Sequence, residues 1–405
     1  MQDVKTPNAP LKNAAAPTEA EQNAQLPPDA AEQAADQTAS SAQSQTFLSE
    51  RRAAIDAIDK KMAQLFEARM QSARQIARYK KERGIAVLDR SREAEVICKN
   101  SAYVADAELR EYYVNFISSV MSLSRSLQHR ETQGLKVVYS GAEGAFGCLA
   151  AKKAFPKAQL FPSPDFVSAY KSVESGEYDC AVLPIENSHA GDVSVVMDLA
   201  FSGGLYINAV TQTDVTHNLL IKKGAKLSDV RTVVSHPQAL DQCAEFIREH
   251  GFEVMEYSNT ALAAKFVAEE CDETFAAIAS AQAAEVFPLD VAVRGINTSR
   301  NNTTRFAVFS RAQNLPQPTD PDEGEHFILV FTAKNEAGSL AQALNIIGAH
   351  DYNLRTLISR PMKELLWNYY FYVEADGNIA TENGKAMLQE LSAVCAKLKL
   401  VGTYR

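Results

Sequence analysis

From Ser49 to Arg83 the chain contains neither Pro nor Gly, and Ile55, Ile58, Met62, Leu65, Phe66, Ile76 and Tyr79 recur at helical spacing until Gly84 interrupts them. This spacing predicts one helix of roughly 50 Å, at about 1.5 Å per residue. A helix of that length cannot bury its own apolar stripe, so it must pack on other helices or on a second subunit. Shorter helical stretches follow at about Ser91 to Ala102 and Asp106 to Gln128. Beyond Gln133 the pattern changes. Leu135 to Tyr139, Cys180 to Leu183, Tyr206 to Val210, Thr232 to Val234 and Ala276 to Ala279 are short apolar strands with helical stretches between them. An all-α region followed by an α/β region is the expected order.

The chain has 405 residues, more than one core usually holds, so several domains are expected. Residues 1–45 are Ala, Gln, Pro, Ser and Thr with almost no bulky apolar side chain, a composition expected to stay disordered. No leader or membrane-length apolar run is visible, which predicts a cytoplasmic protein that neither spans nor anchors to a membrane. The six Cys are scattered without C-x-x-C or His at ligand spacing, so neither a disulfide nor a metal site is expected. A net charge of −9 argues against nucleic-acid binding.

Residues 51–130 depart from that acidity, with 16 Lys/Arg against 10 Asp/Glu. Arg69 and Lys80 are three helical turns apart and share a face, which Arg52 does not. Asp89, Arg92 and Glu93 form a second cluster at i, i+3 and i+4, and Ser124 and Gln128 a third at i and i+4. A solvated, salt-bridged face is one reading and an anion-binding cavity the other. Together these eight residues resemble the motif of the all-helical chorismate mutases, over 46–130. The resemblance implies that Arg52 and Arg69 grip the carboxylates of chorismate with Ser124 assisting. Glu93 accepts from the substrate hydroxyl, and Asp89 and Arg92 complete the wall. Lys80 and Gln128 meet the ether oxygen, where negative charge grows as the C–O bond breaks. The rearrangement to prephenate needs no proton transfer and no cofactor, only a dicarboxylate held in its reactive conformer. Arg52 would come from the partner chain of an intertwined homodimer.

In the α/β region, Asn301-Asn302-Thr303-Thr304-Arg305-Phe306 runs into an apolar strand, setting hydroxyls and a guanidinium at a strand mouth. Gly141 to Gly147 follows the first strand and opens a helix whose backbone N–H groups suit an anion. A dinucleotide fold is disfavoured, because the spacing is not G-x-G-x-x-G. Glu186-Asn187-Ser188, Ser235-His236 with Gln242, and Asn259-Thr260 also stand at strand ends, where each alone reads as a turn. Together, in this order over 134–312, these motifs resemble the prephenate dehydratase domain. With the mutase segment they resemble the bifunctional chorismate mutase/prephenate dehydratase family, the P-proteins. That resemblance implies two α/β lobes like a periplasmic binding protein, prephenate in the cleft, and hinges near Thr211 to Asp214 and Gly295 to Thr298. Thr304 would donate to the departing hydroxyl, and Arg305 would anchor a carboxylate. Glu186, Asn187, Ser188, Ser235, His236, Gln242, Thr303 and Phe306 would line the site, with His236 readable equally as a structural residue before Pro237. The family's glycine loop usually carries a hydroxyl residue where this chain has Gly147.

Residues 313–324 read as a linker rich in Pro, Asp and Glu. From 325 to 405 the pattern is βαββαβ, an α+β unit with strands at Phe327–Thr332, Asn353–Ser359, Trp367–Val373 and Leu400–Thr403 and helices at Ser339–His350 and Gly384–Lys397. It resembles an ACT domain, which implies phenylalanine as effector at Gly338, Ser339, Leu340, Ser359, Arg360 and Pro361, with Ile358 where the motif has Glu. The alternatives to a bifunctional enzyme of phenylalanine synthesis are a non-catalytic small-molecule sensor and a dehydratase preferring arogenate.

Overall fold

The computed structural model describes residues 28–299, 301–319, 324–362 and 369–405, with side chains described from 46 onward and that of Arg90 excluded. Two compact units divide the chain, Met1–Ile76 and Ala77–Arg405. The first consists, among the described residues, of helix α1, which runs Pro28–Glu82 and so continues into the second. It starts well before Ser49, so residues 28–45 are helical where disorder was expected. The Ala, Gln and Glu that cannot build a core are strong helix formers, and Pro28 suits a first helical turn. The rest of that tail, 1–27, lies outside the described residues.

The second unit opens with α2 (Arg90–Ser101) and α3 (Leu109–Gln133). Asp89 caps α2, its carboxylate accepting from the Arg92 backbone N–H at 3.0 Å.

Two sheets follow. The first takes β1 (Lys136–Ser140), β2 (Gln159–Ser163), β3 (Cys180–Asn187), β4 (Gly191–Asp192), β5 (Tyr206–Asp214) and, late in the chain, β11 (Thr303–Ser310). Helices α4 (Phe146–Ala154), α5 (Phe166–Glu174) and α6 (Ser194–Ser202) connect its early strands. The second takes β6 (Asn218–Lys222), β7 (Thr232–Ser235), β8 (Glu253–Glu256), β9 (Phe275–Ala279) and β10 (Leu289–Val293), in the order β10-β6-β9-β7-β8. It carries α7 (Pro237–Gln242), α8 (Ala244–His250), α9 (Thr260–Glu270) and α10 (Ala281–Val286). Its central strands are all but continuous apolar runs, because helices cover both faces.

The chain crosses between the sheets twice, and the crossings are bonded to each other. Val215 N–H donates to the Asn302 carbonyl at 2.8 Å, Ile296 N–H to the His217 carbonyl at 2.9 Å, and His217 N–H to Asn297 Oδ1 at 2.7 Å. The expected hinge at Thr211 to Asp214 is the last stretch of β5, paired with β11, and that at Gly295 to Thr298 lies in the second crossing.

The C-terminal region supplies β12 (His326–Thr332), α11 (Ser339–Ala349), β13 (Leu354–Pro361), β14 (Tyr369–Asp376), α12 (Glu382–Val394) and β15 (Lys397–Tyr404). Its strands stand in the order β13-β14-β12-β15, the arrangement a βαββαβ unit requires. Of the strand expected at Trp367–Val373, Trp367 lies outside the described residues, as do residues 320–323 of the linker. β15 then pairs with β5 at Gly402 and Ile207, so both groups of strands form one ten-stranded sheet. A shared core of Tyr170, Phe309, Ile328, Val330, Tyr370 and Tyr372 lies across that junction.

Candidate active site

A cavity of about 660 Å³ lies between the two sheets, lined by Ser140, Gly141, Phe146, Gly147, Asn187, Asp192, Ser194, His217, His236, Gln242, Asn259, Thr304 and Phe306 among others. Its position follows from topology, because the carboxyl ends of parallel strands and the N-termini of the helices after them meet there. Five helices begin on the cavity wall. Asp165, His236 and Asn259 cap α5, α7 and α9 with their own side chains, whereas α4 and α6 begin without a side-chain cap. The first N–H groups of α4 and α6 therefore meet no capping side chain and are open to an anion.

Thr304 sits at the start of β11 within a directed chain of hydrogen bonds. Asn187 Oδ1 accepts from the backbone N–H of His189 and of Ala190, both at 3.0 Å, which fixes the orientation of its amide. Asn187 Nδ2 then donates to Thr304 Oγ1 at 2.8 Å and to Asn302 Oδ1 at 2.9 Å. Asn302 Nδ2 donates to Gln242 Oε1 at 2.8 Å, and that same oxygen lies 2.9 Å from His217 Nε2. Because its oxygen already accepts from Asn187, Thr304 has its own proton left to give. Gln242, with its oxygen twice engaged, has its Nε2 donor left for the cavity.

Arg305 corrects an expectation. It does not line the cavity, because neighbours on a strand face opposite ways and Thr304 and Phe306 take the cavity side. Its guanidinium instead donates to Glu186 at 2.9 Å, to both oxygens of Glu374 at 2.8 and 3.0 Å, and to Tyr404 Oη at 2.8 Å. Burial works against this charge, but the bonds to Glu374 and Glu186 outweigh it and raise the Arg305 pKa. Glu186 leaves the cavity for the same reason.

Three hydroxyls expected on the wall are also turned away. Ser188 Oγ donates to the Asn301 carbonyl at 3.0 Å, Thr303 Oγ1 to Asp214 at 3.2 Å, and Ser235 Oγ to the Ile278 carbonyl at 2.6 Å. Asn187 and Pro184 both reach the cavity because a bulge at Ile185 shifts the β3 register against β11. His236 has both of its readings: it borders the cavity, and its Nδ1 accepts from the Gln238 N–H at 3.3 Å to cap α7. Gly147 has no room for the hydroxyl residue of the motif, since a Cβ there would stand 2.6 Å from the Ser140 carbonyl oxygen.

His217 and Asn302 were not among the expected site residues. The signal for His217 was present, since Thr216-His217-Asn218 enters the apolar strand β6 as Thr304 enters β11.

In the helical region, Lys80 Nζ donates to the Val87 carbonyl at 2.7 Å, and Arg92 pairs with Glu95 at 2.7 Å. Glu93 pairs with Arg125, and Ser124 Oγ donates to the Val120 carbonyl at 2.9 Å. Gln128 Oε1 is buried with no partner among the described residues. Arg52 and Arg69 belong to the other compact unit.

Two family patterns match the chain, chorismate mutase type II over residues 51–129 and prephenate dehydratase over residues 137–314. The bifunctional chorismate mutase/prephenate dehydratase of Neisseria gonorrhoeae is 31% identical over 363 residues, 87% of this chain and 95% of that protein. The chain belongs to the bifunctional chorismate mutase/prephenate dehydratase family. Arogenate dehydratase/prephenate dehydratase 2 of Arabidopsis thaliana is 32% identical over 67% of this chain and 72% of its own length. Among solved structures, the prephenate dehydratase of Arthrobacter aurescens in complex with L-Phe is 27% identical with a TM-score of 0.61, over 67% of this chain and 89% of that one. In this P-protein family member, no helix among the described residues is long and apolar enough to cross a membrane.

Proposed function

We propose that this chain rearranges chorismate to prephenate in its helical region and converts prephenate to phenylpyruvate in the two-sheet cavity, as a cytoplasmic enzyme of phenylalanine synthesis. The observation that carries the second activity is the directed chain through Asn187, which turns the Thr304 hydroxyl into a donor facing the cavity. Prephenate loses CO2 and its ring hydroxyl together. The electron pair of the bond to the ring carboxylate enters the ring, the C–O bond breaks, and the hydroxyl departs as water with a proton that comes ultimately from solvent. Thr304 supplies the hydrogen bond under which charge leaves on oxygen, a role used mainly in the transition state. With Arg305 turned away, the uncapped N-termini of α4 and α6 and the Gln242 amide bind the carboxylates.

For the mutase, Lys80 and Gln128 serve the ether oxygen, with Asp89, Arg92, Glu93 and Ser124 around the substrate. The exposed apolar side chains of α1, among them Ile55, Ile58, Met62, Leu65 and Phe66, favour a second copy of the chain as their cover.

The C-terminal βαββαβ unit acts as an ACT domain that senses phenylalanine, a reading supported by the L-Phe complex of the Arthrobacter relative. Its effector motif is tied to the cavity wall. Arg360 on β13 donates to Asp192 at 3.2 Å and to Ser194 at 2.7 Å, both wall residues, and to Asp198 at 3.1 Å. Ile358, where the motif has Glu, is half-buried against the shared core.

Purified chain given chorismate should form prephenate and then phenylpyruvate, followed separately by absorbance. Lys80→Ala should lower mutase turnover by about 10²-fold or more and leave prephenate turnover intact. Accumulation of prephenate without phenylpyruvate would remove the dehydratase, and near-normal mutase rates in Lys80→Ala would remove the mutase assignment. Side-by-side rates with arogenate decide which acid is preferred.

A further inference from the structure

His217 lines the cavity, and its Nδ1 is buried with no hydrogen-bond partner among the described residues. The whole residue is only 3% exposed, and a buried nitrogen of this kind ordinarily has a partner. Its other nitrogen settles the tautomer. Gln242 Oε1, which already accepts from Asn302, lies 2.9 Å from Nε2, so Nε2 carries the hydrogen and Nδ1 presents a lone pair. Burial holds the imidazole below its ordinary pKa of 6.5, against the opposing effect of the Gln242 bond, which keeps that lone pair free of a proton near neutrality.

The ring has little freedom to escape this arrangement. The Phe146 ring meets it nearly perpendicularly, with centroids 5.5 Å apart and an interplanar angle of 82°. Its backbone is held on both sides at the point where the chain crosses between sheets, by Asn297 Oδ1 on the N–H and by the Ile296 N–H on the carbonyl.

We propose that His217 Nδ1 accepts the hydrogen of the substrate's departing hydroxyl, which is thereby held between two groups: Thr304 donates to its oxygen and His217 receives its hydrogen. The proposal rests on the dehydratase reading and adds to it a group that orients the C–O bond before it breaks. The network that joins the two residues assigns their opposite roles. Asn187 donates to Thr304 and leaves it a proton to give, while Gln242 accepts from His217 and leaves it a lone pair. A lone pair here also disfavours a carboxylate in the same place, so substrate is admitted with its hydroxyl, and not an acid group, against His217. In the step itself His217 begins and ends neutral. The proton that converts hydroxide to water comes from solvent, and the bond changes are those already described for prephenate.

The test uses the full chain with His217→Gln, which removes the Nδ1 acceptor, and His217→Asn, whose Oδ1 can stand near the former Nδ1. Prephenate kinetics are measured beside inhibition by phenylpyruvate, the product that lacks the hydroxyl, and beside mutase rate as a check on folding. His217→Gln is expected to lower kcat/KM for prephenate by about 10²-fold, while phenylpyruvate inhibition changes by less than about threefold. His217→Asn is expected to recover about tenfold of that loss. Equal weakening toward prephenate and phenylpyruvate would overturn the proposal in favour of a brace for the cavity, and unchanged prephenate kinetics in His217→Gln would overturn it outright. Absence of prephenate turnover in the unaltered chain would instead overturn the dehydratase reading beneath it.

Discussion

Asn187 determines which way Thr304 acts. Its amide is fixed by two backbone N–H groups, so it can only donate to the threonine oxygen. In Asn187→Asp the same position becomes acceptor-only, and the Thr304 proton is drawn away from the cavity. Prephenate turnover should fall by about 10²- to 10³-fold with KM changed far less, as expected when a transition-state donor is lost. A variant that raised only KM would make Asn187 a binding residue. His217 gives a second prediction, on stability. Burial lowers its folded pKa, so above pH 6.5 it is neutral in both folded and unfolded chains. As pH falls below 6.5, the unfolded chain takes up a proton that the folded one resists, and stability declines until the folded pKa is passed. Urea midpoints taken between about pH 7.5 and about pH 5.5 should drop less in His217→Gln than in the unaltered chain. Equal drops would mean that other groups carry the acid sensitivity. Thr304 was legible from sequence as a polar residue at a strand mouth. That Arg305 faces away follows from period-two alternation, but its partner Glu374 stands on a strand far along the chain, and no local pattern announces such a pair.

Strand β11 has a different task on each face. Toward the cavity it presents Thr304 and Phe306; on the other side Arg305 joins β3, β14 and β15 through Glu186, Glu374 and Tyr404. Glu374 is fully buried, so removing its cation leaves a carboxylate with, among the described residues, Arg355 at 3.5 Å and Tyr404 to balance it. Arg305→Ala should therefore cost about 3–5 kcal/mol of stability, measured by urea unfolding, with KM for prephenate changed little. A large rise in KM at unaltered stability would restore Arg305 as a substrate anchor. The strands and helices of the C-terminal unit are legible as a βαββαβ pattern because short apolar runs such as that of β12 stand apart from the helical stretches between them. The bulge at Ile185, which sends Asn187 to the cavity and Glu186 away, was not, because it depends on the register against β11.

Within Ala77–Arg405, the C-terminal strands and the cavity wall share structure. Arg360 connects β13 to Asp192 and Ser194, so an effector that displaces β13 acts on the cavity wall directly. Arg360→Ala should leave uninhibited prephenate turnover within about threefold and reduce phenylalanine inhibition by about tenfold, the size of a typical allosteric coupling. Full inhibition in that variant would place the coupling elsewhere. The junction of β15 with β5 bears on how such coupling is studied. A Cβ on Gly402 would stand 1.8 Å from the Ile207 carbonyl, so the two backbones are in direct contact there. Deleting the chain after about residue 320 would not leave the two-sheet region intact. It would strip β5 of its pairing with β15, leave Arg305 without its main counter-charge, and open the apolar surface around Phe309 and Tyr170 to water. An unpaired, apolar sheet edge of this kind recruits other chains, so the truncated protein should aggregate, and an apparent loss of phenylalanine response in it would report insolubility rather than release from inhibition.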